Sequence, residues 1–359
     1  MKRILLCAIS LLAVSPIGCL HPTIGPKSLP RDRALYSAGL SDSWKEQMLL
    51  NIVKIRYVDP PTFIDVGSIV ASYSLAQGAS AGAGIGNVVA GEGSGTFGAF
   101  GTYTTTPTIT YTPLTGSKFI QGLLTPLPPA SVFNAIQNGT PADSIMLTTL
   151  ISINGLKNQQ STSNGITPAD PAFDQVRILV RKIQLSGAVR TFVKQDANKG
   201  QATVLALRTA DIPPEALEDI KELRRLLKLN QEASEFNLVQ FPVSSSDTEI
   251  AVMTRSVIGL MQNMAADVEV PTEDLANNRA FPGFEKDPNV PDTARLIRIH
   301  SGKQKPADAF VSLNYRDTWF WIADGDLSSK QAFSQLMLLF TMADTAPREN
   351  QPIVTIPAR

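Results

Sequence analysis

The chain has 359 residues with 32 basic and 32 acidic side chains, so its formal net charge is zero and it carries no cationic footprint for nucleic acid. Its only cysteines are Cys7 and Cys19 and its only histidines His21 and His300, which leaves no material for a disulfide framework or a cysteine-based metal site in a folded region. No cofactor and no metal are expected, and the length suffices for one large core or two.

The N-terminus opens with Lys2 and Arg3, continues through an apolar run from Ile4 to Val14, and closes on Ser15-Pro16-Ile17-Gly18-Cys19. That run is too short to span a bilayer, which takes roughly 20 apolar residues, and it has the three parts of a secretion signal. Its end resembles the lipobox of bacterial lipoproteins, although Pro16 and Ile17 stand where that pattern has Leu and a small residue. The resemblance implies a signal peptide over 1–18 and lipidation of Cys19 by acyl chains such as palmitate, which makes the membrane a partner. A competing reading cleaves after Ser15, with Ala13 and Ser15 as the small pair, and leaves Pro16 directly after the cut. Leu20 replaces the Asp that holds many lipoproteins at the inner membrane, so the expected location is the outer membrane, on either its periplasmic or its surface face. Residues 19–33, rich in Pro, Gly, Ser and Thr, read as a tether.

A first region, 34–158, begins with helical periodicity. Ser41-Asp42-Ser43 supply a cap, and Trp44, Met48, Leu49, Ile52, Val53 and Ile55 recur at helix spacing, predicting a helix over 42–57 stopped by Pro60 and Pro61. Between Asp65 and Lys118 the only charged residue is then Glu92. Within 66–112 two alternating stretches flank Gly91-Glu92-Gly93-Ser94-Gly95. In the second, Thr102, Thr104, Thr106, Thr108, Thr110 and Thr112 share one face, while Phe97, Tyr103, Ile109 and Tyr111 share the other. This predicts a long Gly/Thr-rich β-hairpin with its tip near Glu92. Three roles fit it: a membrane-contacting or homo-oligomerising hairpin, a sheet packed on the domain, or a low-complexity loop over 78–101.

Helical spacing returns at Phe119, Ile120, Leu123 and Leu124, breaks at Pro126, Pro128 and Pro129, and resumes at Val132, Phe133 and Ile136. A further helix is predicted over 141–156, followed by a polar linker, 159–168. The C-terminal region, 169–359, reads as helices over 172–185, 213–229, 253–266 and 328–341. Strands are predicted near 189–194, 203–208, 235–241, 296–299, 309–314, 319–322 and 353–356. Strands and helices without regular alternation indicate an α+β fold.

Few motifs carry chemistry. Gly93 to Gly98 matches the dinucleotide fingerprint formally, but a Thr-rich strand follows where a helix is required. Asp324 and Asp326 flank Gly325 between a strand and a helix, and they serve either as an acid/base or cation-binding pair or as a turn in which Asp326 caps the helix. Ser329-Lys330 points to two helix faces, and His300-Ser301 has no triad context. Trp319, Phe320 and Trp321 line a groove in one reading and fill a core in the other.

The stretches 49–57 (LLNIVKIRY), 107–114 (PTITYTPL), 254–260 (TRSVIGL) and 319–324 (WFWIAD) resemble segments of an uncharacterised lipoprotein family of Gram-negative bacteria. The resemblance implies the envelope location and brings no activity. Arg56 and Arg255 lie in these segments as candidates for buried ion pairs or for surface positions. The expectation is a non-enzymatic outer-membrane lipoprotein acting as an envelope structural or assembly component. The alternatives are an envelope hydrolase on Asp324 and Asp326 and a periplasmic small-ligand or peptide binder.

Overall fold

A computed structural model of the chain describes residues 29–85, 93–162, 165–196, 200–283, 295–343 and 354–357. Residues 1–18, read from sequence as a signal peptide, the lipidation candidate Cys19, the part of the expected tether up to residue 28 and Glu92 at the expected hairpin tip lie outside the described residues. The chain divides into two compact units, one of 1–41, 66–111 and 354–359, the other of 42–65 and 112–353. The fold is α+β, with mostly antiparallel sheets.

Helix α1 spans Leu29–Arg56. It starts well before Asp42, so residues 29–33, read from sequence as the end of the tether, are helical. Pro30 is compatible with a first turn because its missing N–H has no helical partner there, and Asp32 complements the positive end of the dipole. Strands β1 (Ile64–Ile85) and β2 (Gly93–Pro113) follow as neighbours in one three-stranded sheet. The side chains of Ser74, Ala76, Thr102, Thr104 and Thr106 are exposed.

Past β2 come α2 (Ser117–Leu124), α3 (Pro129–Gln137) and α4 (Ala142–Thr149). The helix predicted over 141–156 stops early. The hydroxyls of Thr148 and Thr149 donate to the carbonyls of Ser144 and Ile145 (2.8 and 2.6 Å), and the chain continues as β3 (Leu150–Ile153). Asn154 and Gly155 take positive φ (45° and 82°) and turn it into β4 (Leu156–Lys157). The polar linker is itself paired, as β5 (Gln160–Thr162) with β6 (Gly165–Thr167).

Helix α5 (Pro171–Leu185) leads to β7 (Val189–Asp196) and β8 (Gly200–Leu207), then α6 (Pro214–Leu226), β9 (Glu235–Val239) and β10 (Glu249–Thr254). Met253 therefore ends a strand rather than opening a helix. The six strands order as β4-β3-β10-β9-β8-β7, with β10 antiparallel to β3 and parallel to β9. Segments on both sides of 159–168 thus share one sheet, and that stretch is no domain boundary. One face of the sheet packs on Phe133, Met146, Phe173, Val176, Ile220 and Leu223, all buried.

Ser256 starts α7 (Val257–Ala266) by accepting a bond from the Gly259 N–H (3.2 Å). A short α8 (Thr272–Ala276) follows. Then come β11 (His300–Gly302), β12 (Ala309–Tyr315) and β13 (Thr318–Ala323), ordered β11-β13-β12. Residue 299, in the strand predicted at 296–299, makes only a parallel bridge to Val268. Helix α9 (Leu327–Ala343) packs Phe333 and Leu336 into a second core with Met48, Ile52, Leu260 and Phe320. The last strand, β14 (Val354–Pro357), pairs antiparallel with β2 over residues 108–111.

Candidate functional site

The larger unit encloses a pocket where the chain enters β1 and leaves β2. Two amides four residues apart on one face of α1 hold the segment 62–64 that lines it. Asn51 donates to the Thr62 carbonyl and accepts from the Thr62 N–H (2.8 and 2.9 Å), while Gln47 makes the same two bonds with Ile64 (3.0 and 2.7 Å). The helix thereby offers the incoming strand the pattern of donors and acceptors that another strand would. Leu114 N–H then donates to the Phe63 carbonyl (2.9 Å), which holds the two strand ends side by side.

Behind these ends lies a cavity of about 590 Å3, with further walls from α2 and from Ile258 and Gln262 of α7. Its floor is Phe63, Leu114, Phe119 and Leu123, all buried, and Phe63 and Phe119 cluster with Phe340 at ring separations of 4.8 to 6.1 Å. Its rim is apolar yet open: Ile64, Ile120 and Leu124 remain 47%, 49% and 59% exposed. Ile120 and Leu124 stand one turn apart on the outer face of α2. The neutral side chains Thr62, Thr115 and Gln262 are the polar handles, and no lining residue is charged. Such a site desolvates an apolar group and offers nothing to donate or remove a proton.

The carboxylate pair singled out in the sequence is engaged locally. Asp326 accepts from the Ser329 N–H (3.1 Å) and the Ser329 hydroxyl (2.7 Å), which caps α9 and holds its carboxyl below the usual range against the opposing effect of burial. Asp324 pairs with Lys330 (2.7 Å), and Ser329 also accepts from the Arg298 N–H (2.8 Å). His300 sits 3.3 Å from Glu269, whose hydrogen bond raises its pKa. The described residues contain no group of three or more His, Cys, Asp or Glu placed to hold a metal ion.

The aromatic triplet splits across the sheet. Phe320 is fully buried, while Trp319 and Trp321 share the opposite, half-buried face, so the three do not line one groove. Trp321 packs over Gly302, where a Cβ would meet the indole at 3.2 Å.

Both candidate arginines are buried, for different reasons. Arg255 donates to the carbonyls of Leu147 (3.0 Å) and Thr148 (2.8 Å) at the end of α4 and to that of Gln159, and burial lowers its pKa to about 10. It is a helix C-cap rather than half of an ion pair. Arg56, also lowered to about 10 by burial, stacks on Phe281 (4.7 Å) and feels the charge of Asp267. Burial lifts the Asp267 carboxyl to about 7 against the pull of Arg295, two backbone N–H groups and Arg56. Sequence reasoning missed Gln47, Asn51 and Asp267. For the two amides a signal existed, a four-residue polar spacing on an otherwise core-facing helix.

No protein-family model matches the chain, and neither a curated protein nor a solved structure matches it.

Proposed function

We propose that the chain is a lipid-anchored component of the bacterial outer membrane that works without catalysis, as a structural or assembly part of the envelope. In this reading Cys19 carries the lipid, and the hairpin over 66–112 contacts membrane or other copies of the chain. The observation that carries it is the pair β1 and β2, 22 and 21 residues long, in a stretch whose only charge between Asp65 and Lys118 is Glu92. A tilted strand needs about ten residues to cross a bilayer, so either strand is long enough. Among the described residues, β14 covers β2 at 108–111, and β1 stands at the edge of the sheet order β1-β2-β14. Open edges of this length are satisfied by further strands, from copies of the same chain or in a closed barrel.

Cross-linking and native mass spectrometry of the detergent-extracted chain test the reading. It predicts oligomers whose strands resist protease; a strict monomer cut freely between 66 and 112 sinks it. A hydrolase on Asp324 and Asp326 is the alternative from a different class. It predicts that D324N/D326N keeps the fold and loses an activity, whereas the local bonds of both carboxylates predict a loss of stability alone.

A further inference from the structure

We infer that the pocket between α1, α2 and α7 is a seat for one acyl chain of a membrane phospholipid. Its floor of Phe63, Leu114, Phe119 and Leu123 is apolar and uncharged, so the buried part of any occupant is apolar and neutral. The volume, about 590 Å3, lies within the range of sites that enclose a small ligand. The rim selects the source. Ile64, Ile120 and Leu124 form a half-exposed aliphatic edge, which water disfavours and a bilayer surface covers, and a bilayer supplies acyl chains at that edge. Thr115 and Gln262 are exposed and neutral, suited to the ester region of a lipid, and the Thr62 hydroxyl beside them accepts from the Lys54 ammonium (2.8 Å), a cation placed to face an anionic headgroup. Ile64 and Pro113 are also the residues where the chain passes into β1 and out of β2, so continuity ties the pocket to the segment assigned to the membrane. The inference rests on the envelope reading for the source of the lipid, while the seat itself belongs to the larger unit.

The test uses the purified full chain in phosphatidylethanolamine/phosphatidylglycerol vesicles that contain a phospholipid with a photoreactive acyl chain. After illumination, adducts of probe mass are expected on peptides covering 55–64 and 113–124. In the double variant I120E/L124E, altered at exposed positions, the yield there is expected to fall about tenfold with an unchanged unfolding midpoint. Label that avoids these peptides, or that survives the substitutions, overturns the proposal. Label that reaches the pocket only in C19S, which lacks the anchor, also overturns it, because the chain's own acyl groups then fill the seat. Adducts between 66 and 111 report separately on the hairpin: their absence beside a labelled pocket defeats its contact with the membrane, leaves contact between copies to the cross-linking experiment, and leaves the acyl seat standing.

Discussion

In β13 the alternation of side chains has two distinct destinations: Thr318, Phe320 and Ile322 are buried, and Trp319, Trp321 and Ala323 lie half-exposed on the other side. β1 and β2 alternate over three times that length, and on one of their faces Val70, 56% exposed, and the described Ser74, Ala76, Thr102, Thr104 and Thr106 side chains face solvent. The solvent side of the six-stranded sheet also carries charges, as in the Lys194–Glu235 pair at 3.2 Å, whereas past Asp65 the two long strands carry no charged residue. The contrast teaches that alternation specifies a strand, and that charge specifies which face is meant to stay wet. A charged face is expensive to cover. A face of hydroxyls and glycine costs less wherever the partner returns a hydrogen bond to each hydroxyl, and that leaves the long strands open to a partner in a way the core sheet is closed to one.

The comparison breaks first at Arg255. Replacing it with Met leaves carbonyls at Leu147, Thr148 and Gln159 without their donor inside the core, and urea unfolding is expected to show a loss of about 3 to 5 kcal/mol. Gly283→Ala comes next. A Cβ there would lie 1.9 Å from the Arg56 guanidinium, so thermal unfolding should register a loss of about 1 to 3 kcal/mol as Arg56 is displaced from Phe281. Asn51→Ala, which removes both bonds to Thr62, is expected to cost about 1 to 3 kcal/mol and to raise proteolysis around residue 62.

Asp267 gives the contrast a pH dependence. Its carboxyl holds its proton to about pH 7 when folded but only to about 3.8 when unfolded, so its contribution is full below pH 4 and is lost as pH rises toward 7. The difference in stability between the native chain and D267N should fall across that window by no more than about 1.4 kcal/mol per pH unit, and level off above it. The smallest effect is expected in the strands. A charge at exposed Thr104, as in T104E, should change the unfolding of the larger unit by less than about 0.5 kcal/mol while lowering the yield of cross-linked oligomer.

Much of the secondary structure was legible because local signals agreed with the final packing. Pro171 and Pro214 stand at helix starts, which their fixed φ suits, and the helix expected over 172–185 is found as α5, burying Phe173, Val176, Val180 and Ile183. Boundaries slipped where a tertiary partner decided. Nothing near Met253 announces that β10 will find β3 a hundred residues upstream, whereas the end of the helix predicted over 141–156 was legible in Asn154-Gly155, the turn pair that joins β3 to β4. The pocket was invisible for the same reason, since Phe63, Phe119 and Ile258 converge only through the fold. Asp324 and Asp326 were found in sequence, and so was the cap that Asp326 provides.

The position of β10 also makes it the joint of the larger sheet. It lies between β3 and β9, and its parallel register with β9 is reached through residues 240–248 without the crossover helix such pairs commonly use. β3 with β4 on one side, and β7 with β8 and β9 on the other, are two blocks of strands joined only through β10. The contacts that residues 249–254 make are therefore distant in sequence on one side and close on the other, and damage to this one strand divides the sheet in two.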